Sequence, residues 1–346
     1  MKTAVIICPG RGTYGKAELG TLARHFRNAP LLAHFDARRT ELGQETLTAL
    51  DSAATYSTAK HTRGDNASAL IYAATIADVA ALQNIEILAI TGNSMGWYSA
   101  LACAGALTPE DGFEVVNTMG TLMQTHLIGG QLIHPFMNED WHDNPAQKAA
   151  LLALTAEIDT RPSHSLALSI NLGGMLVLAG NDAGLAGFEA TVPPAQSRFP
   201  LRLANHAAFH TALQAPVAAI GRAKLPAALF AQPKYPLIDG RGAIWWPHAT
   251  DTNALWDYTL GHQVTEPYDF THAITIAARE FAPDLFIITG PGTTLGGATA
   301  QALIIAGWQG MASKTDFQSA QQEAPFLISM GMDDQRSLVA GPLTGE

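Results

Sequence analysis

Three short apolar runs, each closed by a turn containing glycine or proline, constrain the fold of this chain more than any other feature. They span 3–8, 85–91 and 284–289 and show no alternation of polar and apolar residues. Such runs are typical of strands buried on both faces of a parallel sheet. Apolar helical patterns follow over 68–83 and 98–104, the first apolar all around its axis. The sequence therefore predicts an α/β fold around a parallel sheet.

The segment 127–206 has a different character, because short strand patterns alternate there with helical ones. Strands are predicted at three places in it: 130–135, 166–171 and 175–179. We therefore expect a small α+β unit over 127–206, inserted into a large α/β unit formed by 1–126 and 207–346. The last twenty or so residues carry no clear pattern.

A serine lies between two glycines directly after the second apolar run, in the sequence GNSMG at 92–96. A serine on a sharp strand-to-helix turn stands at the carboxyl end of a sheet, where the helix N-terminus offers N–H groups to an oxyanion. The same spacing also arises by chance in a chain with 31 glycines. Ser94 is thus a candidate nucleophile that needs a base, and the pattern alone does not choose among 12 histidines.

The composition excludes several other classes of function. Asp and Glu outnumber Lys and Arg by 30 to 20 and no dense basic run occurs, so we expect no nucleic-acid surface. No run approaches the ~18 apolar residues of a transmembrane helix, and the N-terminal run is too short for a signal peptide. Cys8 and Cys103 lack metal-type spacing and are expected to be reduced core residues. These observations predict a cytoplasmic protein that contacts no membrane.

Six short motifs occur in order along nearly the whole chain. They are PGRG at 9–12, GNSMGWYSAL at 92–101, Asn171 with LAG at 178–180, AFH at 208–210, Gln263 with Pro267, and GPG at 290–292 with Leu295. Each is weak alone, but together they resemble the malonyl-CoA:acyl-carrier-protein transacylase family, which includes the acyltransferase domains of fatty acid and polyketide synthases. The resemblance implies an α/β-hydrolase-like domain with an inserted ferredoxin-like subdomain, and acyl transfer between coenzyme A and acyl carrier protein.

The resemblance also implies a Ser94–His210 dyad that forms an acyl-serine. His210 would take the Ser94 proton, and the backbone carbonyl of Gln263 would orient the imidazole. The backbone N–H groups of Arg11 and Met95 would form the oxyanion hole. Because these donors are main-chain groups, Arg11 in place of the family's glutamine need not damage the hole. Acyl exchange with a thiol needs no metal and no redox cofactor.

The chain departs from the family pattern at residues expected to line the substrate site. Met119 stands where the family has a carboxylate-binding arginine, and Asn93 and Trp97 replace a histidine and a glutamate of the serine motif. A thioether cannot pair with a carboxylate, and burying an unpaired carboxylate is costly. We therefore expect Met119, Trp97 and Asn93 to line a site for a non-carboxylated acyl group, acetyl or longer. Asn171 is a further substrate-binding candidate.

Several alternatives remain open at the level of sequence. Trp97 is equally consistent with helix packing, and Arg11 or Arg241 could supply a carboxylate partner from another direction, which would make the chain a malonyl transferase. The acyl-serine could also pass to water, as in a thioesterase or editing hydrolase. A non-catalytic scaffold is disfavoured because both dyad residues are present. We expect acyl-CoA and an acyl carrier protein as partners of a monomer, with Arg198 and Arg202 as carrier-docking candidates.

Overall fold

The computed structural model describes residues 1–341, which form two β-sheets surrounded by helices. The strands are β1 (Lys2–Cys8), β2 (Ile85–Gly92), β3 (Gly130–Pro135), β4 (Leu166–Leu172), β5 (Met175–Gly180), β6 (Leu201–Arg202), β7 (Leu237–Ile238), β8 (Ile244–Trp245), β9 (Tyr268–Asp269), β10 (Leu285–Ile288) and β11 (Leu327–Ser329). The helices are α1 (Thr21–His25), α2 (Ala29–Glu41), α3 (Leu47–Asp51), α4 (Thr58–His61), α5 (Gly64–Ala81), α6 (Gly96–Cys103), α7 (Pro109–His126), α8 (Pro145–Asp159), α9 (Asp182–Thr191), α10 (Ala215–Lys224), α11 (Thr252–Asp257), α12 (Gln263–Thr265), α13 (Phe270–Phe281), α14 (Leu295–Ile305), α15 (Lys314–Glu323) and α16 (Asp333–Arg336). A π-helical turn, Tyr258–His262, joins α11 to α12.

The larger sheet has six strands in the order β11-β10-β1-β2-β7-β8, and every pairing is parallel except that of β7 with β8. The last five residues of β1 and all of β10 are buried, as their apolar sequences predict. Cys8 lies beside Gly92 in the register of β1 and β2. The loops that follow these two strands therefore emerge side by side at the carboxyl edge of the sheet.

The smaller sheet contains a βαββαβ unit made of β3, α8, β4, β5, α9 and β6. Its strands lie in the order β6-β3-β5-β4 with antiparallel pairing, which is the ferredoxin-like arrangement. The fold class predicted for the chain, a parallel-sheet domain with a ferredoxin-like insert, is confirmed. Strand β9 comes from the later part of the chain and extends this sheet parallel to β4.

Helices α5 and α7 approach each other closely at two glycines. A Cβ atom at Gly64 would lie 2.7 Å from the carbonyl oxygen of Gly120, and a Cβ at Gly120 would lie 2.6 Å from that of Gly64. This contact places Ser68 of α5 and Met119 of α7 near the turn that follows β2. Both side chains are buried, with exposed fractions of 1%.

A buried ion pair joins the last described helix to the core. Arg336 of α16 donates to the carboxylate of Asp78 on α5, and the same carboxylate accepts from the backbone N–H of Gly290. Burial raises the pKa of Asp78 to about 6, and Arg336 opposes that rise. The described part of this unpatterned end, up to residue 341, is thus held in place by β11 and by one charge pair.

Substituting Arg336→Leu tests this attachment, because it leaves the Asp78 carboxylate buried without a cation. We expect the free energy of unfolding to fall by about 3–5 kcal/mol in urea denaturation. The matched control is Asp334→Ala, an exposed position on the same helix, which should cost no more than about 0.5 kcal/mol. Equal stability of the two variants would show that the pair does not hold this segment.

Candidate active site

Ser94 occupies the turn between β2 and α6 with a φ of 56°, in the left-handed region that non-glycine residues rarely adopt. The flanking glycines make this turn possible. A Cβ at Gly92 would lie 2.3 Å from the carbonyl carbon of Gly96, and a Cβ at Gly96 would lie 2.1 Å from the carbonyl oxygen of Cys8. Strained backbone of this kind, supported by close packing, presents the serine at the carboxyl edge of the sheet.

Ser94 and His210 are in hydrogen-bond contact. The Oγ of Ser94 lies 2.7 Å from Nε2 of His210, and Nδ1 of His210 lies 2.7 Å from the backbone carbonyl oxygen of Gln263. Because a carbonyl only accepts, Nδ1 carries the proton and Nε2 accepts from the serine hydroxyl. This is the arrangement that a general base requires.

The protonation of His210 is set mainly by its burial. Burial lowers the pKa of His210 to about 4, while the hydrogen bond to the Gln263 carbonyl opposes that shift. The imidazole is therefore neutral at pH 7, so it can accept the Ser94 proton.

The side chain of Gln263 makes two further hydrogen bonds at this site. Its Nε2 donates to the backbone carbonyl of Ser94 at 3.0 Å, and its Oε1 accepts from the hydroxyl of Tyr98 at 3.0 Å. Gln263 therefore ties the serine turn to the group that orients His210. Sequence reasoning assigned only its backbone carbonyl. The π-helical turn immediately before Gln263 is a signal of a functional site that appears only in the structure.

Arg11 and Met95, the expected oxyanion-hole residues, lie at the ends of two adjacent loops. The loop after β1 packs against the serine turn, since a Cβ at Gly10 would lie 2.6 Å from the carbonyl oxygen of Asn93. Both residues line the same small cavity as Ser94. Among residues 1–341 neither backbone N–H donates to a protein acceptor. The structure thus brings these groups together beside the nucleophile.

Two cavities open on Ser94. The smaller has a volume of about 40 Å³ and is lined by Ser94, His210, Arg11, Ser68, Met119 and Met123 among others. The larger measures about 240 Å³ and runs toward apolar side chains of the smaller sheet, including Ile170, Leu172 and Val177. One water molecule needs roughly 10–15 Å³ of cavity volume, so the smaller cavity has room for about three or four heavy atoms.

Met119 and Asn93 lie where a substrate could reach them. Met119 lines the smaller cavity and Asn93 the larger one. The Oδ1 of Asn93 is buried and has no hydrogen-bond partner among the described residues.

Trp97 and Asn171 line neither cavity, which corrects two sequence predictions. Trp97 is fully buried, and its indole N–H donates to the hydroxyl of Thr259 at 3.0 Å. The direction of its side chain along α6 turns it into the core, so helix packing is the correct interpretation. Asn171 accepts from Lys148 and donates to Asp269, and it thereby links β4 to β9.

Three arginines named from the sequence are engaged outside these cavities. Arg241 pairs with Asp239 at 2.6 Å, and Arg202 pairs with Glu189 at 2.8 Å. The guanidinium of Arg198 lies 4.7 Å from the centre of its neighbouring phenyl ring. Arg241 is therefore unsuited to the carboxylate contact considered for it, and the charge of Arg202 is already compensated.

Three further findings concern features outside the dyad. Across the described 341 residues, no cluster of three or more His, Cys, Asp or Glu side chains is arranged to bind a metal ion. Over the same range, no helix combines the length and hydropathy needed to cross a bilayer. Cys8 and Cys103 are both free thiols.

The chain has relatives of known name at low sequence identity. No protein-family model matches the chain. It is 25% identical over 213 residues to the malonyl CoA-acyl carrier protein transacylase of Salmonella typhimurium and 26% identical over 211 residues to that of Escherichia coli K12. Each match covers 61% of this chain and 64% of the relative. A 207-residue match, 25% identical, falls on 3% of the polyketide synthase GfsB of Streptomyces halstedii.

Solved structures of the same group match the fold over nearly its full length. The malonyl CoA-acyl carrier protein transacylase of Coxiella burnetii aligns with a TM-score of 0.74 at 18% identity, covering 99% of this chain and 98% of that one. The acyl-carrier-protein S-malonyltransferase of Burkholderia pseudomallei gives 0.73 at 21% identity, covering 98% and 99%. The resemblance to the transacylase family is therefore confirmed, and the chain shares that fold.

The pKa of His210 predicts how the reactivity of Ser94 depends on pH. A fluorophosphonate probe should label Ser94 at a rate that stays constant from pH 8 to pH 6 and falls only as pH approaches about 4, because protonated His210 cannot act as base. An ordinary histidine would halve the rate near pH 6.5. The labelling rate is measured by intact mass, with circular dichroism at each pH to confirm folding. A midpoint near 6.5 would contradict the buried, neutral state of His210.

Proposed function

We propose that this chain is an S-acyltransferase that moves a short acyl group between coenzyme A and an acyl carrier protein through an acyl-Ser94 intermediate. The observation that carries the proposal is the 2.7 Å contact between Ser94 and a neutral, oriented His210 at the wall of a small cavity. The transacylase names of the relatives support the same reaction.

The first half of the reaction follows from this geometry. The Oγ of Ser94 attacks the thioester carbonyl carbon while Nε2 of His210 takes the hydroxyl proton. The N–H groups of Arg11 and Met95 stabilise the oxyanion. Collapse of the tetrahedral intermediate breaks the carbon–sulfur bond, and His210 returns its proton to the departing thiolate. The products are acyl-Ser94 and free coenzyme A.

The second half reverses these steps with a different thiol. The thiol of the carrier's prosthetic arm enters through the larger cleft, loses its proton to His210 and attacks the ester carbonyl carbon. Breakage of the bond to Oγ returns the proton from His210 to Ser94 and leaves the acyl group on the carrier.

The size of the small cavity argues for a short acyl group. A volume of about 40 Å³ accepts an extension of only a few heavy atoms beyond the thioester carbonyl. A long fatty acyl chain, which the sequence left open, would have to extend into the larger cavity instead.

The expectation of a non-carboxylated acyl group depended on Met119 in place of an arginine. Met119 and Met123 both line the cavity, but Arg11 lines it as well. Met119 alone therefore does not decide the class of acyl group, because Arg11 lines the same cavity. Transfer at Ser94 is compatible with a carboxylated or a non-carboxylated acyl group. Which of the two is used depends on whether the positive charge of Arg11 contacts the acyl group.

Intact-mass measurements with a panel of short acyl-CoAs test the proposed function. We expect one acyl group to be added to the wild-type chain and none to Ser94→Ala. His210→Ala should slow acylation by about 10²–10⁴-fold, the usual effect of a general base. The matched control is Ser99→Ala, because Ser99 is buried on the same helix and its hydroxyl has no partner among residues 1–341.

Addition of a holo acyl carrier protein then separates transfer from hydrolysis. The acyl group should leave Ser94 and appear on the carrier. Acylation of Ser94→Ala would contradict the assigned nucleophile. Loss of the acyl group to water at the same rate with and without carrier would identify a hydrolase instead.

A further inference from the structure

His206 is a partly buried histidine that the proposed mechanism does not use. It precedes His210 by one short stretch of chain and lines the larger cavity together with Ser94. Its ring packs against that of Phe209, with 5.7 Å between the ring centres. His206 therefore lies beside the segment that carries the base, on the wall of the cavity through which a thiol would reach Ser94.

A chain of three hydrogen bonds determines which ring nitrogen of His206 carries its proton. The backbone carbonyl of Phe209 only accepts, so the Ser169 hydroxyl donates to it at 2.8 Å. The hydroxyl oxygen then accepts from Nε2 of Gln131 at 2.6 Å. This leaves Oε1 of Gln131 to accept from Nδ1 of His206 at 2.8 Å. The proton is therefore on Nδ1, and Nε2 of His206 keeps its lone pair.

The second ring nitrogen of His206 is a free acceptor. Burial and the positive charge of Arg11 hold the pKa of His206 well below its usual value, so the ring is neutral at pH 7. Among residues 1–341 no donor contacts Nε2. Because Gln131 holds the ring from the other side, a donor on a ligand would find this acceptor already oriented, which lowers the cost of binding.

The larger cavity is otherwise lined mainly by apolar side chains. Those from the smaller sheet and the segment after it are Ile133, Ile170, Leu172, Met175, Val177 and Leu203. The cavity volume of about 240 Å³ has room for roughly 16–24 heavy atoms at 10–15 Å³ for each. An apolar cavity of this size with an oriented acceptor suits a flexible arm of methylene groups that carries an N–H donor.

We infer that Nε2 of His206 accepts a hydrogen bond from an amide N–H on the arm that carries the reacting sulfur, so that His206 selects thioesters with an amide close to the sulfur. This inference rests on the proposed transfer at Ser94. Coenzyme A and the prosthetic arm of a carrier both end in a cysteamine unit, whose amide N–H is separated from the sulfur by two methylene groups. One acceptor therefore positions the arm in both half-reactions.

Two thioesters that differ at one atom test the inference. The first carries a short acyl group on N-acetylcysteamine, and the second has an ester oxygen in place of the amide N–H. Single-turnover acylation of Ser94 is measured by intact mass. In the wild-type chain we expect the amide thioester to react about 10-fold faster, because the ester oxygen has no hydrogen to donate and leaves Nε2 of His206 unpaired.

Substitutions at His206 locate this preference. His206→Phe keeps a ring without the acceptor and should make the two rates equal. His206→Gln can place an amide oxygen near the position of Nε2 and should retain part of the preference. If His206→Phe does not fold, Gln131→Leu decides the question, because it frees the proton to move to Nε2 and should lower the ratio of the two rates by about 3-fold.

The matched control is His34→Phe, at an exposed histidine of α2 that lines neither cavity. It should leave the ratio of the two rates unchanged. Circular dichroism of each variant confirms that it is folded.

The outcomes that overturn the inference are distinct from failure of the proposed function. Equal rates for the two thioesters in the wild-type chain would overturn it and leave acyl transfer at Ser94 intact. A His206→Phe variant that slows both thioesters equally, with their ratio unchanged, would show that His206 has only a structural role. Acylation of Ser94 by neither thioester and by no acyl-CoA would overturn the proposed function and this inference with it.

Discussion

The close contact between the backbone of Gly96 and that of Cys8, which leaves no room for a side chain at position 96, determines the geometry of the candidate active site. Gly96 begins α6 directly against the carbonyl oxygen of Cys8, at the end of β1. Because of this contact, the loop after β1 and the turn after β2 lie side by side, and Arg11, Ser94 and Met95 share one cavity. Parallel strands bring their carboxyl ends to one edge in any such sheet, but only glycine permits so close an approach.

The segment that carries the base is supported by the smaller sheet. The Nε2 of Gln131 on β3 donates to Ser169 on β4 at 2.6 Å, and the Ser169 hydroxyl donates to the carbonyl of Phe209 at 2.8 Å. These bonds fix the segment just before His210, while Gln263 orients the imidazole from the larger unit. The position of His210 therefore depends on the smaller sheet as well as on Gln263, and loss of either support would separate the base from Ser94.

The sequence predicts those parts of the structure that local patterns encode. Uninterrupted apolar runs identify β1, β2 and β10, and motif order identifies Ser94, His210 and Gln263. Strands of two or three residues such as β9 and β11 have no periodicity to detect. The side-chain direction of Trp97 depends on the packing of α6, and the Asp78–Arg336 pair joins residues 258 positions apart. In the sequence Ser68 is only one small residue of a buried helix, and its position at the wall of the smaller cavity appears only in the structure.

An acyl-group specificity inferred from one residue, Met119, is unreliable because residues distant in the sequence also line the cavity. Met119 indicates an uncharged acyl group only if no other element brings a charge to the cavity, and Arg11 does so from a loop more than a hundred residues away. Burial and the charge of Arg11 hold the pKa of the adjacent His206 well below its usual value, so that histidine stays neutral. Asp65 is engaged by Arg63, and Arg11 lines the smaller cavity beside Ser94. The pKa of Arg11 is about 10 and that of His210 about 4, so one pH range keeps the cation charged and the base neutral. At neutral pH the cation in the cavity and the neutral base beside Ser94 therefore coexist.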